Sequence, residues 1–259
     1  AFIGYNSIEE KVNGRTQINV SMKSNDITLS DVVVVGYGVQ KKVSLTGAIA
    51  GVRSTDLLKT KNENPHINWE NLKSTNPEIV GWIKVPGTKI DYPILQGKEW
   101  NEYLHKNYKG DYSYAGSIFI QPEAAFNDQH LIIYGHNMRV KSMFGSLHDF
   151  ESEDFYKKHN KIYLYQPGKT IKCTIYSVYD CLDKSATYNT DFSDDGNDNK
   201  WVDWLTMTVN NNAYYPIKKK PAEKDHIITL STCSGKSKGD SYRFVVHSFI
   251  TNTVTYEEK

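Results

Sequence analysis

The chain has 259 residues, enough for one large domain or two small domains with a proper hydrophobic core. Its 31 basic and 30 acidic residues leave a net charge of +1, which gives no electrostatic reason to expect a nucleic acid or an anionic membrane surface as the partner. The sequence contains no run of about 18 apolar residues and no signal peptide. We therefore expect no membrane span, and any membrane anchor is expected to lie outside this chain.

The first 60 residues are rich in short β-branched stretches, and they form the first of two predicted parts. The apolar run 32–35 is followed by Gly36-Tyr37-Gly38, which superficially matches a dinucleotide-binding turn. The third glycine of that fingerprint would fall at Lys41, so the pattern argues against nucleotide binding. The segment is too short to bury a good core alone, and we predict that it is partly ordered.

A resemblance is carried by residues 31–42 together with Leu45-Thr46-Gly47-Ala48. These residues are similar to the N-terminal extension and TonB box of SusC-type TonB-dependent receptors, over about residues 1–58. The resemblance does not include the receptor's transmembrane barrel, so receptor transport is not implied. In such receptors the TonB box pairs with an edge strand of an energising partner. We interpret residues 1–60 as a fusion or chimeric segment with no role in the chemistry.

The second predicted part, residues 64–259, begins with a short helix. Asn68 is a suitable N-cap for a helix starting at Trp69 and ending near Pro77. Eight short strand-like segments with turn signals between them predict a mainly β fold, an eight-stranded closed barrel or a sandwich. The predicted strands are residues 79–85, 90–95, 117–120, 130–134, 161–165, 172–179, 226–232 and 242–250.

Helical insertions are predicted at residues 144–150 and 153–159 and in a long late loop. In that loop Trp201, Leu205 and Val209 have helical spacing, which favours packing on the barrel over cofactor binding. A calcium loop started at Asp191 would place Val202 where a bidentate glutamate is needed. Histidine and cysteine show no zinc-ligand spacing either. We predict neither a metal nor a cofactor.

Cys173 and Cys181 lie eight residues apart in one strand-like stretch. On a single strand they would be about 26 Å apart, whereas a disulfide requires Cα atoms within about 7 Å. The sequence therefore predicts no bridge between them.

Three residues at strand ends are candidates for chemistry. Cys233 follows the strand 226–232 and precedes a polar loop, residues 234–240, which favours an exposed, nucleophilic thiol. His136 follows the strand 130–134 and Gly135, where it is able to act as a base. Arg243 begins the strand after Cys233, where its guanidinium is able to donate to an oxyanion. Taken singly, a buried cysteine, a hydrogen-bonded histidine and a surface ion pair remain the commoner interpretations. Together they predict covalent catalysis at one barrel end.

A second resemblance covers nearly all of residues 64–250. The chain resembles class B sortases in residues 76–83, 90–93, 134–138, 143–147, 229–233 and 243–247. The resemblance implies a sortase-type β-barrel with catalytic residues His136, Cys233 and Arg243. One departure is Gln121, where many relatives have an acidic residue. His247 shares a strand face with Arg243 but lies too far along the strand to replace His136, so we predict a structural role for it.

The resemblance further implies a reaction, partners and a location. Cys233 would attack the threonine carbonyl of a C-terminal sorting signal, and His136 would protonate the leaving amine. A peptidoglycan-precursor or pilin amine would then take the acyl group, at the extracellular face of the membrane of a Gram-positive bacterium. This chemistry anchors surface proteins to the cell wall. The residues leave two alternatives open. The first is a hydrolase, a thiol protease that passes its acyl group to water. The second is a noncatalytic TonB-box binding module.

The thiol–imidazole pair has a consequence for rate. With ordinary pKa values of about 8.5 and about 6.5, thiolate plus imidazolium is about 1% of the singly protonated pair. The sequence therefore predicts slow turnover with a bell-shaped pH profile.

Overall fold

The computed structural model of the protein describes residues 67–193, 199–235 and 241–256. The predictions for residues 1–60 lie outside the described residues. So do most of the polar loop after Cys233 (236–240) and part of the stretch after Asp191 that was considered as a calcium loop (194–198).

Eight strands form a closed barrel, as predicted, and the structure gives their order as β1-β2-β3-β4-β7-β8-β6-β5. The bounds are β1 Ile79–Lys84, β2 Asp91–Gln96, β3 Ile118–Ile120, β4 His130–Tyr134, β5 Lys161–Gln166, β6 Lys169–Leu182, β7 Ile227–Cys233 and β8 Tyr242–Thr255. Closure leaves no unpaired sheet edge in the barrel, which removes the usual route to edge-to-edge aggregation.

Two neighbouring pairings decide what lies at one end of the barrel. β4 and β7 are parallel, with His130 opposite Ile227 and Tyr134 opposite Ser231. β7 and β8 are antiparallel, with Cys233 opposite Arg243. The carboxyl ends of β4 and β7 and the beginning of β8 therefore meet at the same end.

The strands at that end are buried along most of their length, so both of their faces are covered. Every residue of β7 before Cys233 is buried, and His130 to Ile133 of β4 are buried as well. Inside the barrel lies one large apolar cluster, which includes Ile94, Ile118, Leu131, Ile133, Leu230, Phe244 and Val246. A rigid, fully packed wall of this kind is a precise support for groups placed at its rim.

Short helices cover the outside and the ends. α1 Trp69–Thr75 begins at Asn68, whose side chain accepts from Asn71 N at 2.8 Å, and it ends at Asn76 before Pro77. A 3₁₀ helix Gly145–Glu151 precedes α2 Glu153–His159, and α3 Lys200–Asn210 lies in the late loop. Shorter 3₁₀ turns occupy Glu102–Leu104 and Ala186–Tyr188.

α3 packs as its apolar spacing predicts. Trp201, Trp204 and Leu205 are buried in one cluster with aromatic and aliphatic residues of the barrel wall, namely Tyr176, Ile227 and Phe249. None of the described helices is long and apolar enough to cross a membrane.

Cys173 and Cys181 both lie in β6 and both are free, so the prediction of no disulfide is confirmed for this pair. Both are buried, and burial raises the pKa of the Cys173 thiol to about 12 and raises the pKa of the Cys181 thiol as well. Neither is a nucleophile at neutral pH.

Candidate active site

Cys233 is the last residue of β7 and is exposed, although its neighbours Thr232 and Ser234 are buried. The packed strand therefore ends in a thiol that faces solvent. Of the three cysteines, Cys233 is the only exposed one. Exposure at a fixed strand terminus is the environment that a reactive thiol requires.

His136 reaches the same rim through Gly135. The Gly135 amide donates to the Ser231 carbonyl at 3.2 Å, which continues the β4–β7 alignment beyond the end of β4. A Cβ at Gly135 would lie 2.4 Å from Ile118 Cδ1 and 2.9 Å from the Phe144 ring, so only glycine fits at this step. The parallel register then places His136 at the level of Cys233, two residues beyond the Tyr134–Ser231 pair.

The imidazole of His136 is held in one orientation. Its Nε2 lies 2.8 Å from the Leu104 carbonyl oxygen, so Nε2 carries a proton and donates it to that bond. Nδ1 is therefore the nitrogen that is free to exchange a proton with a substrate. The ring stacks on His105 at 5.4 Å and lies parallel to Tyr114 at 6.5 Å between ring centroids.

The surroundings of His136 favour its neutral form. Burial lowers the pKa of the imidazole, the bond to the Leu104 carbonyl opposes this, and the neighbouring His105 lowers the pKa further. The imidazolium is accordingly scarcer than it would be for a histidine in water.

Arg243 lies beside Cys233 on β8, as its backbone partner. Its guanidinium is held by Asp183 Oδ2 at 3.4 Å and by the Tyr242 carbonyl at 3.2 Å. Its side chain is about 30% exposed. The ion pair with Asp183 is long, so several of the five guanidinium N–H groups remain able to bind an oxyanion.

All three predicted residues line one cavity of about 830 Å³. Strand residues form part of its wall, together with the loop after β2, which contributes Trp100 and Leu104, and the loop after β6, which contributes Asp183 and Tyr188. Tyr188 is fixed by a 2.7 Å hydrogen bond to Ser231 Oγ, and burial raises the pKa of its hydroxyl. The size and mixed lining suit an extended peptide better than a small ion.

Gln121, the departure from the sortase pattern, lies on the wall of this cavity and is buried. Its Nε2 is 3.5 Å from Asn101 Oδ1, and its Oε1 is buried with no hydrogen-bond partner among the residues that the structure describes. The substitution therefore changes the polar lining without touching the three rim residues.

His247 is wholly buried below the rim, as expected for a structural residue. Its Nδ1 lies 2.7 Å from Thr229 Oγ1, and its Nε2 lies 2.9 Å from Tyr179 OH. Burial lowers its pKa well below the ordinary value, so the ring is neutral. The described residues contain no group of three or more histidine, cysteine or acidic side chains arranged to hold a metal ion.

Sequence reasoning missed two residues that contact the candidate nucleophile. Asn137 Nδ2 lies 2.9 Å from the Cys233 carbonyl oxygen, and His148 Nε2 lies 3.2 Å from it. His148 is 85 positions from Cys233 in the chain, so only the position of Asn137 beside His136 offered a signal.

Comparisons with known proteins agree with the barrel fold. A family model described as the sortase domain matches residues 83–250. Sortase B of Listeria monocytogenes is 36% identical over 192 residues, which cover 72% of this chain and 76% of that protein. Sortase B of Staphylococcus aureus is 30% identical over 194 residues, which cover 73% and 77%.

Solved structures give the same picture. The crystal structure of Clostridium perfringens sortase B matches with a TM-score of 0.65 and 34% identity, covering 71% of this chain and 99% of that one. A Staphylococcus aureus sortase B–substrate complex matches with a TM-score of 0.64 and 31% identity, covering 71% and 84%.

A separate, local similarity concerns another class of protein. TonB-dependent receptor P26 of Formosa agariphila is 42% identical over 65 residues, which are 25% of this chain and 6% of that receptor. So small a share of the receptor carries over none of its transport activity.

Proposed function

The chain belongs to the sortase family, and from that membership and its sortase B relatives we propose a class B cysteine transpeptidase with Cys233 as nucleophile. In this proposal the enzyme cleaves a C-terminal sorting signal after threonine and joins the acyl group to an amine. The observation that carries the proposal is the meeting of Cys233, His136 and Arg243 at one rim of a peptide-sized cavity.

The reaction begins with attack of the Cys233 thiolate on the threonine carbonyl carbon, which forms a carbon–sulfur bond and a tetrahedral oxyanion. Arg243 donates to that oxyanion. As the intermediate collapses, the peptide C–N bond breaks and His136 gives a proton to the leaving amine from Nδ1, while Nε2 stays bound to the Leu104 carbonyl. A thioester and a neutral His136 remain.

The second half runs in reverse with a different amine. Neutral His136 takes a proton from the incoming amine as its nitrogen attacks the thioester carbonyl, and collapse releases the Cys233 thiolate. The pair is then again thiolate and imidazolium. Burial of His136 makes that ion pair scarce in the free enzyme, which favours slow turnover.

The partners follow from this chemistry. Surface proteins with a C-terminal sorting signal supply the acyl group, and a peptidoglycan precursor or a pilin supplies the amine. The proposed location is the extracellular face of the membrane in a Gram-positive bacterium, where those amines occur. The size and mixed lining of the cavity support a peptide substrate, and a sortase B relative has been crystallised as a substrate complex.

The proposal is tested with a quenched fluorescent peptide library of threonine-containing sorting signals, assayed with and without an added amine such as triglycine. We expect cleavage and an amine-linked product that mass spectrometry detects. Cleavage with unchanged products in the presence of amines would instead identify a thiol hydrolase, which the exposure of Cys233 to water also permits.

Substitution of the cysteines provides the matched control. Cys233→Ala should abolish cleavage, because no other described thiol is exposed. Cys173→Ala and Cys181→Ala should leave the turnover of folded protein unchanged, because both thiols are buried in β6. Cleavage that persists in Cys233→Ala would reject the proposed mechanism.

A further inference from the structure

The backbone at Cys233 is held from outside the cavity by a set of side chains that the proposed mechanism does not use. Asn137 and His148 both approach the Cys233 carbonyl oxygen, and Glu151 Oε1 lies 2.9 Å from His148 Nδ1. We infer that Asn137, His148 and Glu151, here called the carbonyl clamp, are positioning residues that fix the nucleophile relative to His136. This inference rests on the proposed function of the same site.

The chemical nature of each group determines which atoms donate the hydrogen bonds in the clamp. The Cys233 oxygen is an acceptor only, so Asn137 must present its amide Nδ2 to it at 2.9 Å. The second hydrogen of that amide points to His148 Nε2 at 3.1 Å. This pattern requires a neutral His148 that donates from Nδ1 to Glu151. If His148 is protonated, Nε2 donates instead to the Cys233 oxygen at 3.2 Å. The carbonyl keeps a donor in either state.

The turn at Cys233 has few other polar anchors. The hydroxyls of Thr232 and Ser234 on either side are buried and, in the part of the chain that the structure describes, have no hydrogen-bond partner. Besides the pairing of β7 with β8, in which Cys233 lies opposite Arg243, the Ser234 amide donates to the Tyr242 carbonyl at 3.2 Å. The clamp adds side-chain hydrogen bonds to that backbone pairing at the point where β7 ends.

The clamp is closely packed against the turn that follows Cys233. Gly235 has a φ of +72°, and a Cβ there would lie 3.1 Å from Asn137 Nδ2. A side chain at Gly235 would therefore press on the clamp amide as well as strain the backbone. Asn137 also follows His136 directly, so one residue joins the proposed acid/base group to the backbone of the nucleophile.

His148 is itself supported by two contacts. Its ring stacks on Phe244 of β8 at 4.4 Å between centroids, and its Nδ1 is held by Glu151. His148 and Glu151, the two clamp residues on the 3₁₀ helix Gly145–Glu151, are therefore held in fixed orientations. A supporting residue must be held in this way if it is to orient a reacting group.

The inference predicts a loss of turnover without a loss of peptide binding. A small misplacement of a nucleophile reduces the rate of attack far more than it reduces substrate affinity, because affinity comes from the cavity walls. We expect Asn137→Asp and His148→Ala each to lower kcat by about tenfold with KM changed by less than about twofold. His148→Gln retains an amide that can meet Asn137 or the carbonyl, and it should restore most of the rate.

The test combines steady-state kinetics with hydrogen exchange of the Ser234 amide, measured on the full chain. Exchange should be faster in Asn137→Asp and His148→Ala than in the wild type and in His148→Gln. The control is His226→Ala, a histidine just before β7, at the opposite end from Cys233, where it bonds to the Asp128 carbonyl. That variant should change neither readout.

Each result of these experiments either supports or contradicts the inference. Unchanged Ser234 exchange in both clamp variants would overturn the clamp, and so would an equal fall of kcat in His226→Ala. A raised KM with unchanged kcat would also contradict positioning of the nucleophile. If the wild type shows no amine-dependent product, the proposed function fails, whereas the exchange data still decide whether the clamp orders Cys233. If Asn137→Asp does not fold, the His148→Ala and His148→Gln pair gives the answer.

Discussion

The side chain of Arg243 is already engaged in the free protein, and this bears on how strongly it can act. Asp183 lies 3.4 Å from it, longer than a well-formed ion pair, and both groups are about 30% exposed. Such a pair contributes little to stability and gives up its partner readily. Asp183 therefore orients the guanidinium without neutralising its ability to bind a second anion.

Substitution of Arg243 tests this role. We expect Arg243→Ala to lower kcat/KM by about 100-fold, the size typical for loss of one oxyanion donor. Arg243→Lys should recover only part of the rate, because a lysine lacks the planar fork of N–H groups. Asp183→Asn should stay close to the wild-type rate. Steady-state kinetics with the fluorescent peptide measures all three, and an Arg243→Ala rate close to wild type would exclude the oxyanion role.

His105 offers a way to examine the acid/base group without altering it. It stacks on His136 and lowers the pKa of that imidazole through its charge, in addition to the larger effect of burial. Removal of the charge should raise the pKa of His136. The acidic limb of the bell-shaped kcat/KM profile should therefore lie below about pH 6.5 in the wild type.

In His105→Gln we expect that limb to move to higher pH, while His226→Gln leaves it in place. The measurement is kcat/KM between pH 5 and 10 in buffers of constant ionic strength. A wild-type profile that stays flat from pH 5 to pH 10 would contradict the requirement for both Cys233 and His136, and an unmoved limb in His105→Gln would contradict the charge effect.

At the scale of elements, the strand pattern was the most predictable feature. β4 was predicted with its bounds, and the other strands fall within a few residues of prediction except β6 and β8, which are 14 residues each. The missed lengths are residues 169–171 and 180–182 of β6 and 251–255 of β8. The segments 169–171 and 251–255 have one apolar residue each, Ile171 and Val254, and they are strands because they pair with each other, Lys169 with Thr255 and Ile171 with Thr253. Residues 180–182 are strand because they pair with the beginning of β8.

The candidate site was also predictable from the sequence only in part. Its three rim residues were predicted because each follows or begins a strand with a recognisable pattern and belongs to a motif that resembles the sortases. The carbonyl clamp was not, because His148 approaches Cys233 only through the folding of the 3₁₀ helix onto the barrel end. Contacts of long sequence separation leave no periodic trace in a single sequence.

Beneath the rim, a buried hydrogen-bond chain joins β4, β7, β8 and β6. His130 donates from Nδ1 to the Asn189 carbonyl at 2.7 Å and accepts from Thr229 Oγ1 at 2.7 Å through Nε2. Thr229 Oγ1 accepts in turn from His247 Nδ1, and His247 Nε2 accepts from Tyr179 OH. This arrangement requires both rings to be neutral.

This buried hydrogen-bond chain predicts that the folded protein loses stability in mild acid. Burial lowers the pKa of His130 to about 4, so the unfolded chain binds a proton first as the pH falls below about 6.5. The stabilisation is fully present above about 6.5 and is lost as the pH falls toward the folded-state value. The difference between 6.5 and about 4 corresponds to about 3 kcal/mol, and His247 adds in the same direction.

We expect the free energy of unfolding to fall by at least about 2 kcal/mol between pH 7 and pH 5, measured by urea denaturation. His130→Gln should be less stable at pH 7 and should show a shallower fall, whereas the exposed His226→Gln should follow the wild type. Equal slopes in all three proteins would show that the buried histidines do not control stability in this range.

At the scale of the whole molecule, the barrel and the site form one unit. Strand order places β4, β7 and β8 side by side, so the closed barrel itself brings the three rim residues together. Part of the cavity wall comes from the loops after β2 and β6. Loops of this kind vary without disturbing the strands, so peptide specificity can change while the reaction is kept.

Residues 1–60 provide the remaining test of how function is distributed along the chain. The sortase model matches residues 83–250, and the described barrel begins after residue 66. A domain with its own closed core is expected to fold without an appended segment. Deletion of residues 1–60 should therefore leave kcat, KM and the thermal unfolding midpoint of the barrel unchanged, as measured by the peptide assay and by calorimetry. A variant that keeps its unfolding transition but loses turnover would show that the activity also requires residues 1–60, and would revive the interpretation of that segment as a functional module. A variant that loses both would show that the two predicted parts fold as one.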